Sequence, residues 1–81
     1  MKTTLWQQEH KELEAQLLRA HKLSESSLLA NLYTRSADLA EQNNDVDAAC
    51  FYLTQALIYA LEAGLADDEM LVKRLSLYGR I

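Results

Sequence analysis

Proline is absent from this sequence of 81 residues, glycine occurs twice and cysteine once. β-Branched aliphatic residues are scarce as well, since valine and isoleucine occur only at Val46, Ile58, Val72 and Ile81. A chain with few helix breakers and few strand formers favours helices over strands. The two glycines, Gly64 and Gly79, do not stand in a turn of the kind that cradles phosphate, which excludes a glycine-rich phosphate loop.

Long apolar runs and an excess of basic residues are also missing. No stretch of about 18 residues runs without a charged residue, so we expect neither a transmembrane span nor a membrane partner. Acidic residues outnumber basic ones by 12 to 8, which gives a net charge of −4 and argues against nucleic acid as a partner. The single cysteine cannot form a disulfide within the chain, and residues 1–10 lack the apolar core of a secretory signal. The expected location is therefore the cytoplasm.

Leucine and alanine dominate the 49% of the residues that are hydrophobic, which is typical of a helical globular protein. The length predicts one domain, residues 1–81. The apolar periodicity predicts four helices, at about residues 4–22, 25–43, 46–63 and 67–79, in a small all-α antiparallel array or bundle. The predicted core consists of Leu32, Ala49, Leu53, Ala56, Leu57 and Leu75. A chain this short buries only about 60 to 65% of its unfolded surface, so docking on a partner would help to stabilise it.

The first two helical segments are amphipathic. In the first, a narrow apolar stripe predicts a helix that covers one edge of the core; the stripe consists of Trp6, Leu13, Leu17 and Ala20. The second segment is apolar on one half of the helical wheel and polar on the other. Residues 43–45, Asn-Asn-Asp, then predict a tight turn, because asparagine tolerates the left-handed backbone conformation and aspartate caps the following helix.

The third segment is apolar almost all round and is expected to be the central helix. On its least apolar side, Phe51 and Ile58 project among polar residues, and this leaves two interpretations. In one, the first helix folds over both side chains and completes a monomeric four-helix bundle. In the other, Phe51 and Ile58 contact a protein partner or a second copy of the chain, with a homodimer as the commonest solution. We predict the intermolecular contact and keep the covered monomer as the alternative.

The hairpin predicted for the second and third segments has a distinctive spacing of small and large residues. The residues that carry it are Tyr33, Ala37, Asn44-Asp45, Ala49, Leu53 and Ala56-Leu57. A small residue on each helix permits a close antiparallel crossing of the two helices. Over about residues 30–63 this pattern resembles one degenerate tetratricopeptide repeat.

Three positions depart from the usual repeat, because Ser36 stands in place of leucine, Ala40 in place of an aromatic residue and Asn44 in place of glycine. The resemblance implies a small protein-interaction or oligomerisation module without catalysis. It also implies that the polar side of the second helix lines a candidate groove, made of Asn31, Thr34, Asp38, Glu41 and Gln42. The alternative for this polar side is an ordinary solvated helix face.

No set of residues in the sequence predicts a catalytic or metal-binding site. His10 and Glu14 are four apart and His21 lies near the same side, but a metal site needs three or four converging ligands, so we expect neither a metal nor a cofactor. Cys50 falls on the buried side of the third helix, where cysteine usually acts as a small hydrophobe. We expect no catalytic residue and no enzyme. The alternative function is that of a small acidic regulatory protein, inhibitor-like or antitoxin-like, that masks a basic surface of its partner.

Overall fold

The sequence folds into four helices, which a computed structural model describes over residues 3–65 and 68–81. These are α1 (Thr3–Leu23), α2 (Ser26–Gln42), α3 (Val46–Ala63) and α4 (Asp68–Leu77). Each helix begins and ends within about two residues of the predicted bounds, and no strand occurs among the described residues. The all-α class is confirmed. The predicted role of the Trp6 side chain lies outside the described residues.

Local sequence explains where the helices stop and start. Asn44 has a left-handed backbone (φ 59°), and the side chain of Asp45 accepts a hydrogen bond from the backbone N–H of Ala48 at 3.1 Å. This confirms the turn predicted at residues 43–45. At the other end of α3, Gly64 takes the left-handed conformation (φ 71°), which glycine adopts without steric cost. Both turns leave few residues between helices, so neighbouring helices in the chain are also neighbours in space.

Replacing Asp45 by alanine is expected to lower the free energy of unfolding by about 0.5 to 2 kcal/mol, because the N–H of Ala48 loses its acceptor. Asparagine caps helices about as well as aspartate does, so Asp45→Asn is the matched control and should keep most of the stability. Urea denaturation followed by circular dichroism measures both variants. An equal loss in the two variants would show that charge near the helix N-terminus matters, rather than the capping bond.

The helices form a flattened array in which each packs against the next one along the chain. Ser26, at the start of α2, donates a hydrogen bond to Glu62 near the end of α3, so these two helices are antiparallel. Asp47, at the start of α3, pairs with Arg80 just beyond α4, which makes α3 and α4 antiparallel as well. The molecule extends 40 × 32 × 15 Å. Within the part that the structure describes, no helix has the length and apolar character needed to cross a membrane.

The buried apolar side chains form two clusters, one on each side of α2. The first joins α1 to α2 and contains Leu13, Leu17, Ala20, Leu29, Leu32 and Leu39. The second joins α2 to α3 and α4 and contains Ala30, Ala37, Cys50, Leu53, Ala56, Ala60, Leu71 and Leu75. The predicted core residues are buried, except that Leu57 is only half-buried.

The expectation that the third helix is central holds only in part, because α3 packs between α2 and α4 but α2 is the helix that both clusters share. Seven residues of α2 are buried, and they lie against α1 on one side and α3 on the other. α3 is more apolar overall, but part of its apolar surface faces solvent instead of a neighbouring helix. A high apolar content of one helix therefore did not identify the helix with the most covered surface.

Candidate functional site

Four large apolar side chains of α3 are exposed, namely Val46 at its first residue and three further along the helix. Phe51, Ile58 and Leu61 are 57%, 49% and 59% exposed, and Thr54 lies between them on the same side of the helix. Their intervals of three, four and three residues are those of the apolar positions through which one helix packs against another. We call Phe51, Thr54, Ile58 and Leu61 the α3 stripe. It is a helix-packing surface without a helix packed on it.

The structure does not place the first helix over Phe51 and Ile58, so the interpretation in which that helix covers both side chains is wrong. Leu13 and Leu17 of α1 pack against α2. Because α1 lies on the far side of α2, its backbone does not approach α3. Exposure leaves Phe51 and Ile58 available for the intermolecular contact predicted from the sequence.

Aromatic rings join α1 to α3 where their backbones do not meet. Tyr33 of α2 stacks on Tyr59 of α3, with ring centroids 5.8 Å apart and planes 3° from parallel, and Tyr52 lies 6.2 Å from Tyr33. His21 of α1 meets Tyr33 and Tyr59 edge-on, and its Nε2 atom lies 3.0 Å from the Tyr33 hydroxyl. The Nε2 atom of His10 lies 3.4 Å from the Tyr52 hydroxyl. We call these five rings the aromatic strip.

The electrostatics of the aromatic strip favour a structural role. Burial raises the pKa of Tyr33, and the neighbouring Tyr59 and Tyr52 raise it further. Burial also raises the pKa of Tyr52, with smaller contributions from Glu14 and Asp45. Both hydroxyls therefore stay protonated at neutral pH and are available for the hydrogen bonds to the histidines.

The aromatic strip is not among the features predicted from the sequence, although two spacings indicate it. His10 and His21 are eleven residues apart, or about three turns, and so lie on one face of α1. Tyr52 and Tyr59 are seven residues apart, or about two turns, and so lie on one face of α3. In the sequence alone, the two histidines suggest only potential metal ligands.

The polar side of α2 is partly covered by α4. The guanidinium of Arg74 donates to Oδ1 of Asp38 and Oε1 of Glu41, both at 2.8 Å. The hydroxyl of Tyr78 donates to Oε2 of Glu41 at 2.6 Å, and this bond raises the pKa of Tyr78. Two of the five predicted groove residues are thus brought together by α4, which they help to hold against α2.

The other predicted groove residues are divided among different surroundings. Thr34 donates to the backbone carbonyl of Ala30 in its own helix at 2.8 Å, and Asn31 is exposed. Gln42 lines a shallow cavity of about 220 Å³ between α1 and α2, with Asp38 on the same wall. The remaining lining of this cavity consists of Glu9, Glu12, Leu13, Gln16, Arg35 and Leu39. The structure therefore brings Asp38 together with Glu41 at α4 and with Gln42 at α1.

The residues weighed for chemistry do not converge. The Nδ1 atom of His10 lies 4.0 Å from Oε1 of Glu14, a distance typical of a weak ion pair along one helix, while His21 contacts tyrosines. Within residues 3–65 and 68–81, no three His, Cys, Asp or Glu residues are grouped so that they could hold a metal ion. Cys50 is free and lies buried in the second apolar cluster.

Compared with protein-family models, with curated proteins and with solved structures, the chain matches none of them. The resemblance to a tetratricopeptide repeat therefore depends on the residues quoted for it alone. Among the surfaces of the described chain, the α3 stripe brings three exposed large apolar side chains to one side of one helix.

Proposed function

We propose that this protein is a small, non-catalytic interaction module that self-associates through the α3 stripe. The observation that carries the proposal is the spacing of Phe51, Ile58 and Leu61 on one exposed helix side, each about half exposed or more. Burying a large apolar side chain completely contributes roughly 1.5 to 3 kcal/mol. A chain of 81 residues has a small core, so covering this surface adds stability that the isolated fold does not have.

The size of the stripe indicates a reversible association. A standard stable interface buries about 800 Å² on each partner, which is more than four side chains on one helix supply. We therefore expect a dimer whose population depends on protein concentration. Because the contact is apolar, its affinity should change little when salt is added.

The alternative function, masking of a basic surface by acidic residues, has weaker support. Asp38 and Glu41 are already paired with Arg74, and Asp47 is paired with Arg80 at 2.8 Å. These pairs occupy three acidic side chains within the molecule, whereas Phe51, Ile58 and Leu61 of the α3 stripe stay about half exposed or more. As its location we propose the cytoplasm, where a free thiol such as that of Cys50 stays reduced.

Replacing both Phe51 and Ile58 by glutamate is expected to convert a concentration-dependent dimer into a monomer. Both positions are exposed in the single chain, so the charges are tolerated by the fold but repel each other across the proposed contact. Leu18→Glu is the matched control, because Leu18 is 70% exposed on α1, away from the α3 stripe. Light scattering over a concentration series measures association, and circular dichroism checks that all three proteins stay helical.

Two results would contradict the proposal. A wild-type protein that stays monomeric at the highest concentration reached shows that the chain does not self-associate. A folded double variant that dimerises as well as the wild type shows that the contact lies on another surface. Loss of the dimer in the Leu18→Glu control as well would show that added charge, and not its position, prevents association.

A further inference from the structure

The α3 stripe has the same spacing when it is followed from either end. From Phe51 through Thr54 and Ile58 to Leu61, the intervals are three, four and three residues, and their midpoint is Ala56. We propose that the stripe binds α3 of a second copy of the chain in antiparallel orientation, with a twofold axis at the level of Ala56 along the helix. Phe51 then lies opposite Leu61 of the second copy, and Thr54 lies opposite Ile58. This inference rests on the proposed self-association and adds the orientation of the two molecules.

Access to the stripe is open in the described structure. Phe51 and Ile58 project from the side of α3 opposite to Leu53 and Ala60, which are fully buried. α2 and α4 pack against that buried side, and the array is only 15 Å thick. A second α3 can therefore approach the stripe without displacing a helix of the same molecule.

The helix dipoles of α3 favour the antiparallel orientation, whereas its acidic residues approach each other in both orientations. α3 has no basic residue, and Asp47, one turn before Phe51 on the same side, has a side chain that is 92% exposed. In a parallel pair, Asp47 would lie directly opposite Asp47 of the second copy, and like charges in that position are destabilising. In the antiparallel pair, Asp47 lies near Leu65 of the other α3 and about one turn from its Glu62, so acidic side chains approach each other there as well. The two helix dipoles are then opposed rather than aligned.

The sizes of the side chains favour the same orientation. A parallel pair would place Phe51 against Phe51 and Thr54 against Thr54. The contact between the two helices would then be crowded at the phenylalanines and loosely packed at the threonines. The antiparallel pair combines a large residue with a medium one in each layer, as even packing requires. Gln55, beside the axis, then lies close to Gln55 of the second copy, and an amide can both donate and accept a hydrogen bond. Pairing with a second copy thus buries the side chains of the α3 stripe and gives the neighbouring Gln55 a hydrogen-bond partner.

Disulfide cross-linking between two single-cysteine variants tests the orientation. In a Cys50→Ala background, one protein carries Phe51→Cys and the other carries Leu61→Cys. Mild oxidation of the mixture is expected to give severalfold more covalent dimer than oxidation of either protein alone. In the antiparallel pair, unlike cysteines face each other, whereas like cysteines are ten residues, or about 15 Å, apart along the helix, too far for a disulfide.

Two controls make the result decisive. Light scattering and circular dichroism establish that the Cys50→Ala background dimerises and is helical. Leu18→Cys in the same background measures random cross-linking of an exposed thiol off the stripe. Electrophoresis without reducing agent then compares covalent dimer among the mixture, the separate variants and this control.

The outcomes separate this inference from the proposed function. More cross-linking in the mixture than in either separate variant supports the antiparallel pair. More cross-linking in the separate variants indicates a parallel pair, which overturns the inference and leaves self-association standing. Cross-linking no greater than that of Leu18→Cys, in a protein that light scattering finds dimeric, places the contact elsewhere and overturns the inference. A monomeric wild type overturns the proposed function itself.

Discussion

Replacing Leu53 by alanine is expected to lower the free energy of unfolding by about 2 to 5 kcal/mol. Leu53 is fully buried in the cluster that joins α2, α3 and α4. Several of its neighbours are alanines, including Ala30 and Ala37 of α2, and such short side chains cannot move to fill the space that is left. A folded domain is stabilised by roughly 0.05 to 0.15 kcal/mol per residue, so this loss is a large share of the total for 81 residues.

The measurement is urea denaturation followed by circular dichroism. Leu77→Ala is the matched control, because it removes the same atoms from a side chain that is 82% exposed on α4. It should change the free energy of unfolding by less than about 0.5 kcal/mol. Truncation of a buried leucine lowers the free energy of unfolding by more than about 1 kcal/mol. A smaller decrease for Leu53→Ala would show that α3 does not turn this side toward the core.

Replacing Ala56 by leucine is expected to destabilise the protein by about 1 to 3 kcal/mol through overpacking. Ala56 is fully buried on the side of α3 that faces α2, and α2 presents an equally buried alanine, Ala37. These short side chains leave no space between the helices for a larger one. Leucine at residue 56 therefore has to push the two helices apart or adopt an unfavourable rotamer.

Ala15→Leu is the control for Ala56→Leu, because Ala15 is exposed on α1 and leucine forms helices nearly as well as alanine. Thermal unfolding compares the two variants with the wild type. We expect a clear decrease in the melting temperature for Ala56→Leu and little change for Ala15→Leu. Equal melting temperatures for wild type and Ala56→Leu would mean that α2 and α3 can separate at little cost.

Burial of the small residues also bears on the tetratricopeptide resemblance. Ala37, Ala49 and Ala56, which carry the small positions of that pattern, are all fully buried. Close packing of α2 against α3 needs small residues at such positions whatever the origin of the chain. The physical requirement for a close crossing is therefore enough to explain the spacing.

Local rules were enough to predict the helices and their turns. Asn44 and Gly64 have the left-handed backbone that their residue types favour, and Asp45 caps α3 as its short side chain allows. The apolar period likewise identified the buried faces of α1 and α2, including Leu13 and Leu17 on α1. Each of these features depends on residues within a few positions of one another, so the order of the amino acids contains the necessary information.

The contacts between helices could not be obtained in this way. A helical period shows which side chains share a face, but it does not say which neighbour covers that face or whether any does. Arg74 meets Asp38 across more than thirty residues of sequence, and His21 joins tyrosines of two other helices. Phe51 and Ile58 were compatible with a covered monomer until the packing of α1 on α2 left them exposed. These outcomes depend on how four helices share a limited amount of apolar surface, which is a property of the packed chain and not of any single segment.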